Sequence, residues 1–266
     1  MSGRWAAHRA VHHRWPLAAT TGQGWTMRRT WKPAMAVVTA AMAATASMGT
    51  VLAAETDDVR PLAAGDAAAA AVAANAADHD DPADHSWNTA DVVPITLSGS
   101  TASSTSPDVS ISGGSVTVTG AGTYQLTGSL TNGQVVVNTT ESGIVRLILN
   151  GATIANSTSS AINVVDADEV MVFLNAGTTN RLTDATTYVY PDPSVDEPNA
   201  ALFSAADLTV AGTGSLTVTG NAYDGIASKD GLVIASGTVT VTAVDEGVRG
   251  KDYLVVNGGS TRGAAG

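Results

Sequence analysis

The sequence predicts an all-β solenoid, a parallel β-helix of short strands with coils of about 22–24 residues. Three observations carry that expectation. β-branched alternation in very short pieces begins at Val92, segments toward the carboxyl end recur at a nearly constant shift, and no helical period interrupts them.

The region before Val92 is of a different kind. Residues 1–54 hold six of the 13 basic residues and none of the 24 acidic ones. Within them, Met27-Arg28-Arg29 gives a basic start, an apolar small-residue run extends from Ala34 to Leu52, and Ala53-Ala54 follows, which is the layout of a secretory signal preceded by an upstream segment. Met27 is then the start, and cleavage falls near Ala53 or Ala54. The remainder is expected outside the cell, secreted or attached to its surface, with a membrane involved only if the segment stays uncleaved. Residues 55–91, rich in Ala and Asp with few large apolar side chains, read as an acidic linker. Asp78, His79, Asp80, Asp81, Asp84 and His85 have metal-ligating chemistry, but a hydrated acidic linker explains them as well. Trp87, the only Trp beyond residue 31, marks the point where the chain is expected to pack onto the domain.

Composition limits the chemistry. The chain of 266 residues is 44% hydrophobic and 14% charged, which supports a buried core. The absence of Cys excludes disulfides, thiolate metal sites and cysteine nucleophiles. Beyond residue 54 the charges are 24 acidic against 7 basic, a net of −17, which repels nucleic acid and suits hard cations.

The domain is expected over 92–259. Ile95-Thr96-Leu97, Val116-Thr117-Val118, Val135-Val136-Val137 and Leu147-Ile148-Leu149 read as strands separated by Gly, Asn, Asp and Ser. Lys229-Asp230-Gly231-Leu232-Val233-Ile234 aligns with Lys251-Asp252-Tyr253-Leu254-Val255-Val256 at a shift of 22. Leu202, Leu208 and Val210 map to Ile226, Leu232 and Ile234 at 24, and Leu216 and Val218 map to Val239 and Val241 at 23. A period of this length with about three short strands is one coil of a β-helix, whose strands stack on their equivalents one coil away. Val, Ile and Leu are then inward, and Thr209, Thr217, Thr219, Thr238, Thr240 and Thr242 outward on a wet face. Tyr188 to Asn199, with three Pro and three acidic residues, reads as a projecting loop.

Acidic residues gather at the expected corners. Asp224, Asp230, Asp245, Glu246 and Asp252 form the cluster with the chemistry for calcium, since six to eight oxygens at about 2.3–2.6 Å can come from stacked carboxylates and turn carbonyls. Asp also suits turns without any ion. Lys229, Arg249 and Lys251 share one repeated corner, with the two Lys at equivalent sites, so they offer a basic ladder for an acidic sugar polymer. Pairing of each Lys with a neighbouring Asp is the plainer use. Tyr223 and Tyr253 are the candidate sugar-stacking residues, with Tyr188 and Tyr190 beside them. No nucleophile elbow or phosphate-cradling loop is present, which favours a non-catalytic role. A calcium-dependent polysaccharide lyase, with Lys229, Arg249 or Lys251 as base, and a surface adhesin or structural rod are the alternatives.

Four stretches are specific enough to suggest kinship: Gly122-Thr123-Tyr124-Gln125-Leu126-Thr127-Gly128, Asn199-Ala200-Ala201-Leu202-Phe203-Ser204, Asp224 through Leu232, and Gly247 through Asp252. With them the chain resembles secreted bacterial carbohydrate-binding domain proteins, a family with a right-handed parallel β-helix similar in fold to pectate lyases. The resemblance covers roughly residues 91–259. It implies binding of cellulose and acidic plant polymers such as polygalacturonate, calcium ions in the coil corners and no assigned catalytic activity. Carried onto this sequence, the calcium inference falls on the same five acids. The family pattern continues into further coils, so residues 260–266 are expected as a tail in which the repeat is cut short.

Overall fold

Gly, Asn and Asp at short intervals keep most strands to three to six residues, and the chain turns after each and pairs the next strand in register with its equivalent. A computed structural model describes residues 78–266, all within one compact unit, Pro61–Gly266. The expectations for residues 1–54 and 55–77 lie outside the described residues.

Each coil carries three strands, and equivalent strands pair in parallel to form three ladders. In the coil at the centre of the repeat these are Ala200–Ser204, Asp207–Gly212 and Ser215–Gly220. The next coil has Asp224–Ser228, Gly231–Ile234 and Thr238–Ala243, and the last described coil has Val248–Gly250, Tyr253–Val256 and Ser260–Ala265. Before them lie Ile162–Asp166, Glu169–Leu174 and Thr179–Thr183. Toward the amino end the second and third strands merge into single long ones, Gly122–Leu130 and Ile144–Ala155, so the two ladders belong to one curled sheet of 12 strands. The first ladder forms a separate sheet of 7 strands.

The shifts read from the sequence are the hydrogen-bonded registers. Leu202 pairs with Ile226 and Leu208 with Leu232, Leu216 with Val239, and Ile226 with Val248. The pairing is not parallel throughout. Thr101–Ser103 turns back antiparallel onto Val92–Gly99, and Val109–Ser112 onto Ser115–Val118. These hairpins cover strand edges that would otherwise be open to another chain. Ser260–Ala265, expected as a tail, pairs with Thr238–Ala243 along its whole length.

Inward residues are Val, Ile and Leu with almost no exposure, among them Leu126, Leu147, Leu149, Ile162, Leu202, Leu208 and Ile226. Each such burial contributes about 1.5–3 kcal/mol. On the third ladder the outward Thr238, Thr240 and Thr242 are exposed, as the alternation requires. The second ladder differs. Its outward Ile148, Met171, Ala211 and Val233 are buried, and so is Thr209, which the sequence places on a wet face.

The segment after residue 77 accounts for part of that cover. Two single-turn 3-10 helices, Pro82–His85 and Thr89–Asp91, are capped by the side chains of Asp81 and Asn88. They lie against the second ladder: His79 reaches Thr209, Asp84 reaches Arg146, and Trp87 meets Phe173 edge to face with ring centroids 4.8 Å apart. What composition presents as a linker is, over residues 78–91, packed structure.

Candidate functional site

The sequence-predicted residues fall at two corners of adjacent coils. At the corner from the third ladder to the first, Asp224 begins its strand and is almost fully buried, with a side chain only 3% exposed. Arg249, one coil on and 25 positions later, points outward from the first ladder and folds back over it. Its Nη2 lies 2.6 Å from Asp224 Oδ2, and its Nε lies 2.8 Å from the same oxygen and 2.9 Å from Glu246 Oε2. Asp224 Oδ1 also accepts the backbone N–H of Glu246 at 3.1 Å. The guanidinium therefore occupies the space between two of the carboxylates expected to hold calcium, and at this corner the residues do not fit a metal ion. Asp245 is exposed, and its backbone N–H donates to the Tyr223 carbonyl oxygen.

At the corner from the first ladder to the second, backbone hydrogen bonds stack the turns. Lys229 N–H donates to the Ser204 carbonyl, Lys251 N–H to that of Ser228, and Asp252 N–H to that of Asp230. The two Lys are thus superposed as the repeat requires. Lys229 Nζ is held by Glu197 Oε2 at 2.7 Å, a residue of the projecting loop, and not by an adjacent Asp. Lys251 is exposed and makes no ion pair among the described residues. Partial burial, with Asp207 and Asp252 nearby, pushes the Asp230 carboxyl above its ordinary value. Lys229, Arg249 and Lys251 line a groove of about 290 Å³ with Glu197, Phe203 and Ser228. The Phe203 ring is 4% exposed and packs with Ala200 and Ala227, which gives the groove an apolar wall.

The two candidate tyrosines part company. Tyr223 is 38% exposed and packs edge to face on Tyr188, with centroids 5.3 Å apart; Tyr190 lies beside Tyr188 at 6.0 Å. Tyr188 anchors this group, since its hydroxyl lies 2.8 Å from Asp184 Oδ2 and its ring is buried, so ionisation of the phenol is strongly disfavoured. Burial likewise raises the Asp184 carboxyl, which accepts the Asn221 N–H. Tyr253 offers no free ring to a sugar at the groove. It lies over Gly231, where a Cβ would collide with the phenol, and its hydroxyl is 2.6 Å from His79 Nδ1 and accepts the His79 backbone N–H at 3.0 Å. Among the described residues no three carboxylate or imidazole groups converge as metal ligands.

Sequence reasoning missed the groups on the outer side of the second ladder. Arg146 donates from Nε to the Asp84 carbonyl at 2.7 Å and from Nη2 to Asp84 Oδ1 at 2.9 Å. Glu169 Oε1 is buried without a hydrogen-bond partner among the described residues, and burial together with Asp84, Asp207 and Asp80 pushes that carboxyl up to about 7. Ser86, Trp87, Asn88 and Asp91 roof a cavity of about 460 Å³ against Tyr124 and Arg146. One signal was available. Leu147-Ile148-Leu149 and Val170 through Leu174 are apolar without alternation, the pattern of strands covered on both faces.

The stacked corners and the fold they stand on have counterparts among known proteins. A family model for carbohydrate-binding domain-containing proteins matches residues 112–266. The chain belongs to that family. A carbohydrate-binding domain-containing protein of Acetivibrio thermocellus is 36% identical over 135 residues, 51% of this chain and 47% of the relative, so the chain spans about half the length of the curated relative it matches. The solved structure of a polysaccharide lyase-like protein from C. thermocellum, a gadolinium derivative, superposes with a TM-score of 0.60 at 27% identity, covering 65% of this chain and 82% of that one. The family match includes the whole basic groove and leaves out the packed segment 78–91.

Proposed function

We propose that this family member is a secreted, non-catalytic binding protein whose right-handed parallel β-helix holds a plant-type polysaccharide in the groove of Lys229, Arg249 and Lys251. Both cellulose and polygalacturonate belong to the reading, and the cations favour the acidic polymer. The observation that carries it is the basic row itself. Three cations stand together on a chain whose formal net charge is −11, and Lys251 is free to meet a carboxylate while Phe203 supplies an apolar wall. Tyr223 extends the surface from the neighbouring corner as a ring against which a sugar can pack.

Calcium assistance belongs to the same reading at one corner only. Asp230 and Asp252 make no ion pair among the described residues, and the Asp230 carboxyl, raised by burial and then by Asp207 and Asp252 against the opposing pull of Lys251 and Lys229, would be stabilised in its charged form by an ion. Protein ligands alone do not complete a shell there, so carboxylates of the polymer would have to supply the rest.

The test is binding of the full chain to polygalacturonate and to cellulose, with calcium and with chelator. Lys251→Ala is expected to weaken polygalacturonate binding about fivefold, the worth of about 1 kcal/mol for an exposed ion pair, with the unfolding midpoint unchanged. Undiminished binding by this variant would remove the groove from the mechanism, and failure to bind any glycan would favour a structural rod. The solved neighbour is named lyase-like, which motivates a second reading. Glu197 holds Lys229 and two carboxylates hold Arg249, so Lys251 is the group left to take a proton from a uronate. Release of ultraviolet-absorbing unsaturated product, lost in Lys251→Ala, would establish it.

A further inference from the structure

The larger cavity is walled on one side by Ser86 to Asp108, before the family match, and on the other by Ala121 to Tyr124 and Arg146, within it, and has a different chemistry from the groove. It measures about 460 Å³, within the range of small-ligand sites, and its walls include Trp87, Asn88, Asp91, Asp108, Tyr124 and Arg146. Trp87 is pinned from one direction by Phe173, with planes 83° apart, so at least one face of the indole is left free by that contact. Arg146 is oriented by its two hydrogen bonds to Asp84, while Nη1 has no hydrogen bond among the described residues and is not buried. Asn88 and Asp91 are joined by a 3.1 Å hydrogen bond from Nδ2 to Oδ2 on the exposed rim, leaving the other oxygen of the carboxylate and the second amide hydrogen open.

Aromatic face, fixed guanidinium, amide and carboxylates are the groups that bind a pyranose: the ring stacks on the apolar face of the sugar, and bidentate polar groups take its vicinal hydroxyls. The sign of the local charge narrows the ligand. Asp91 and Asp108 line the cavity, and Glu141 accepts the Ala121 N–H at its edge, 3.0 Å away. The only cation among the described lining residues, Arg146, is already paired with Asp84. Tyr124 reports the same field, since burial and the charges of Asp108 and Glu141 push its phenol up to about 12. A uronate carboxylate would meet net repulsion there, and an uncharged sugar would not.

We infer that the cavity roofed by Trp87 is a second carbohydrate site, distinct from the basic groove, which takes a neutral hexose unit and discriminates against uronic acids. The inference takes only the class of ligand from the family's carbohydrate binding and is independent of the groove. A protein with both sites would hold an acidic polymer at one end of its coils and a neutral one at the other.

Calorimetric titration of the full chain with cellotetraose and, separately, with tetragalacturonate tests it. Cellotetraose is expected to bind, and Trp87→Ala to lower its affinity about tenfold, the order of one lost stacking contact. Asp91→Ala, a change on the exposed rim that leaves the core untouched, is expected to lower it about fivefold at an unchanged unfolding midpoint, and it keeps the test intact should Trp87→Ala unfold. Absence of cellotetraose binding by the folded wild-type chain, or full affinity in Asp91→Ala and Trp87→Ala, would overturn the inference. So would a parallel fall in tetragalacturonate affinity, which would mean that Trp87 acts by supporting the fold. Failure of tetragalacturonate alone to bind the wild type would sink the groove reading and leave this one standing.

Discussion

The outer sides of the second and third ladders belong to the same coils and the same curled sheet, yet they face opposite environments. On the third, exposed Thr238, Thr240 and Thr242 alternate with buried Val239 and Val241. On the second, Met171 points away from the interior core and is still fully buried, as are Ile148 and Val233. The backbone is alike in both, so strand geometry does not decide which residues a position takes. What decides is whether another part of the chain lies on top, and over the second ladder residues 78–91 do so.

The contrast can be tested by removing matched side chains. Met171→Ala is expected to cost about 2–5 kcal/mol by urea unfolding, and Thr240→Ala to stay within about 0.5 kcal/mol; equal effects would erase the distinction. Arg146→Ala comes next. It leaves Asp84 without its partner in a half-buried setting, and a loss of about 1–3 kcal/mol is expected, together with faster proteolysis within residues 78–91 if the segment lifts. Tyr253→Phe removes only the hydroxyl that His79 meets and should cost about 1 kcal/mol.

The last effect is one of slope. Because Glu169 is raised from the ordinary 4.5 to about 7, the folded chain holds more protons than the unfolded chain between those values. Its contribution is fully present below about pH 4.5 and is lost as pH rises through 7. Glu169→Gln should flatten that part of the stability profile; an unchanged slope would show that the carboxyl is not confined beneath the segment.

The repeat made most of the fold legible. Shifts of 22 to 24 residues emerge as pairs such as Gly231 with Tyr253 and Leu208 with Leu232, because stacked coils force equivalent residues to be neighbours. The site was legible by half. Superposition of Lys229 on Lys251 follows from the repeat, but the reach of Arg249 back to Asp224, and of Glu197 to Lys229 across 32 positions, depends on side-chain direction and on a loop that has no periodicity. Asp80, Asp84 and His79 could not be placed from composition at all, since an Ala- and Asp-rich stretch carries no pattern that says which surface it will meet. The unbroken apolar runs on the second ladder announced that a cover exists without saying what it is.

A stack of coils ordinarily frays from its ends, because each coil is held only by its two neighbours and an end coil has one. Residues 78–91 alter that rule by running lengthwise. Asp84 is fastened at Arg146, Trp87 at Phe173, and His79 at Thr209 and at Tyr253 of the last described coil, with Asp78 accepting from Asn257 Nδ2 beyond it. A short stretch of chain thus acts as a batten nailed across the planks: opening of Tyr253–Val256 must also release a segment whose other attachments lie several coils away. Amide exchange in Tyr253–Val256 should therefore slow in step with exchange at Arg146, and the two should accelerate together once the batten is cut.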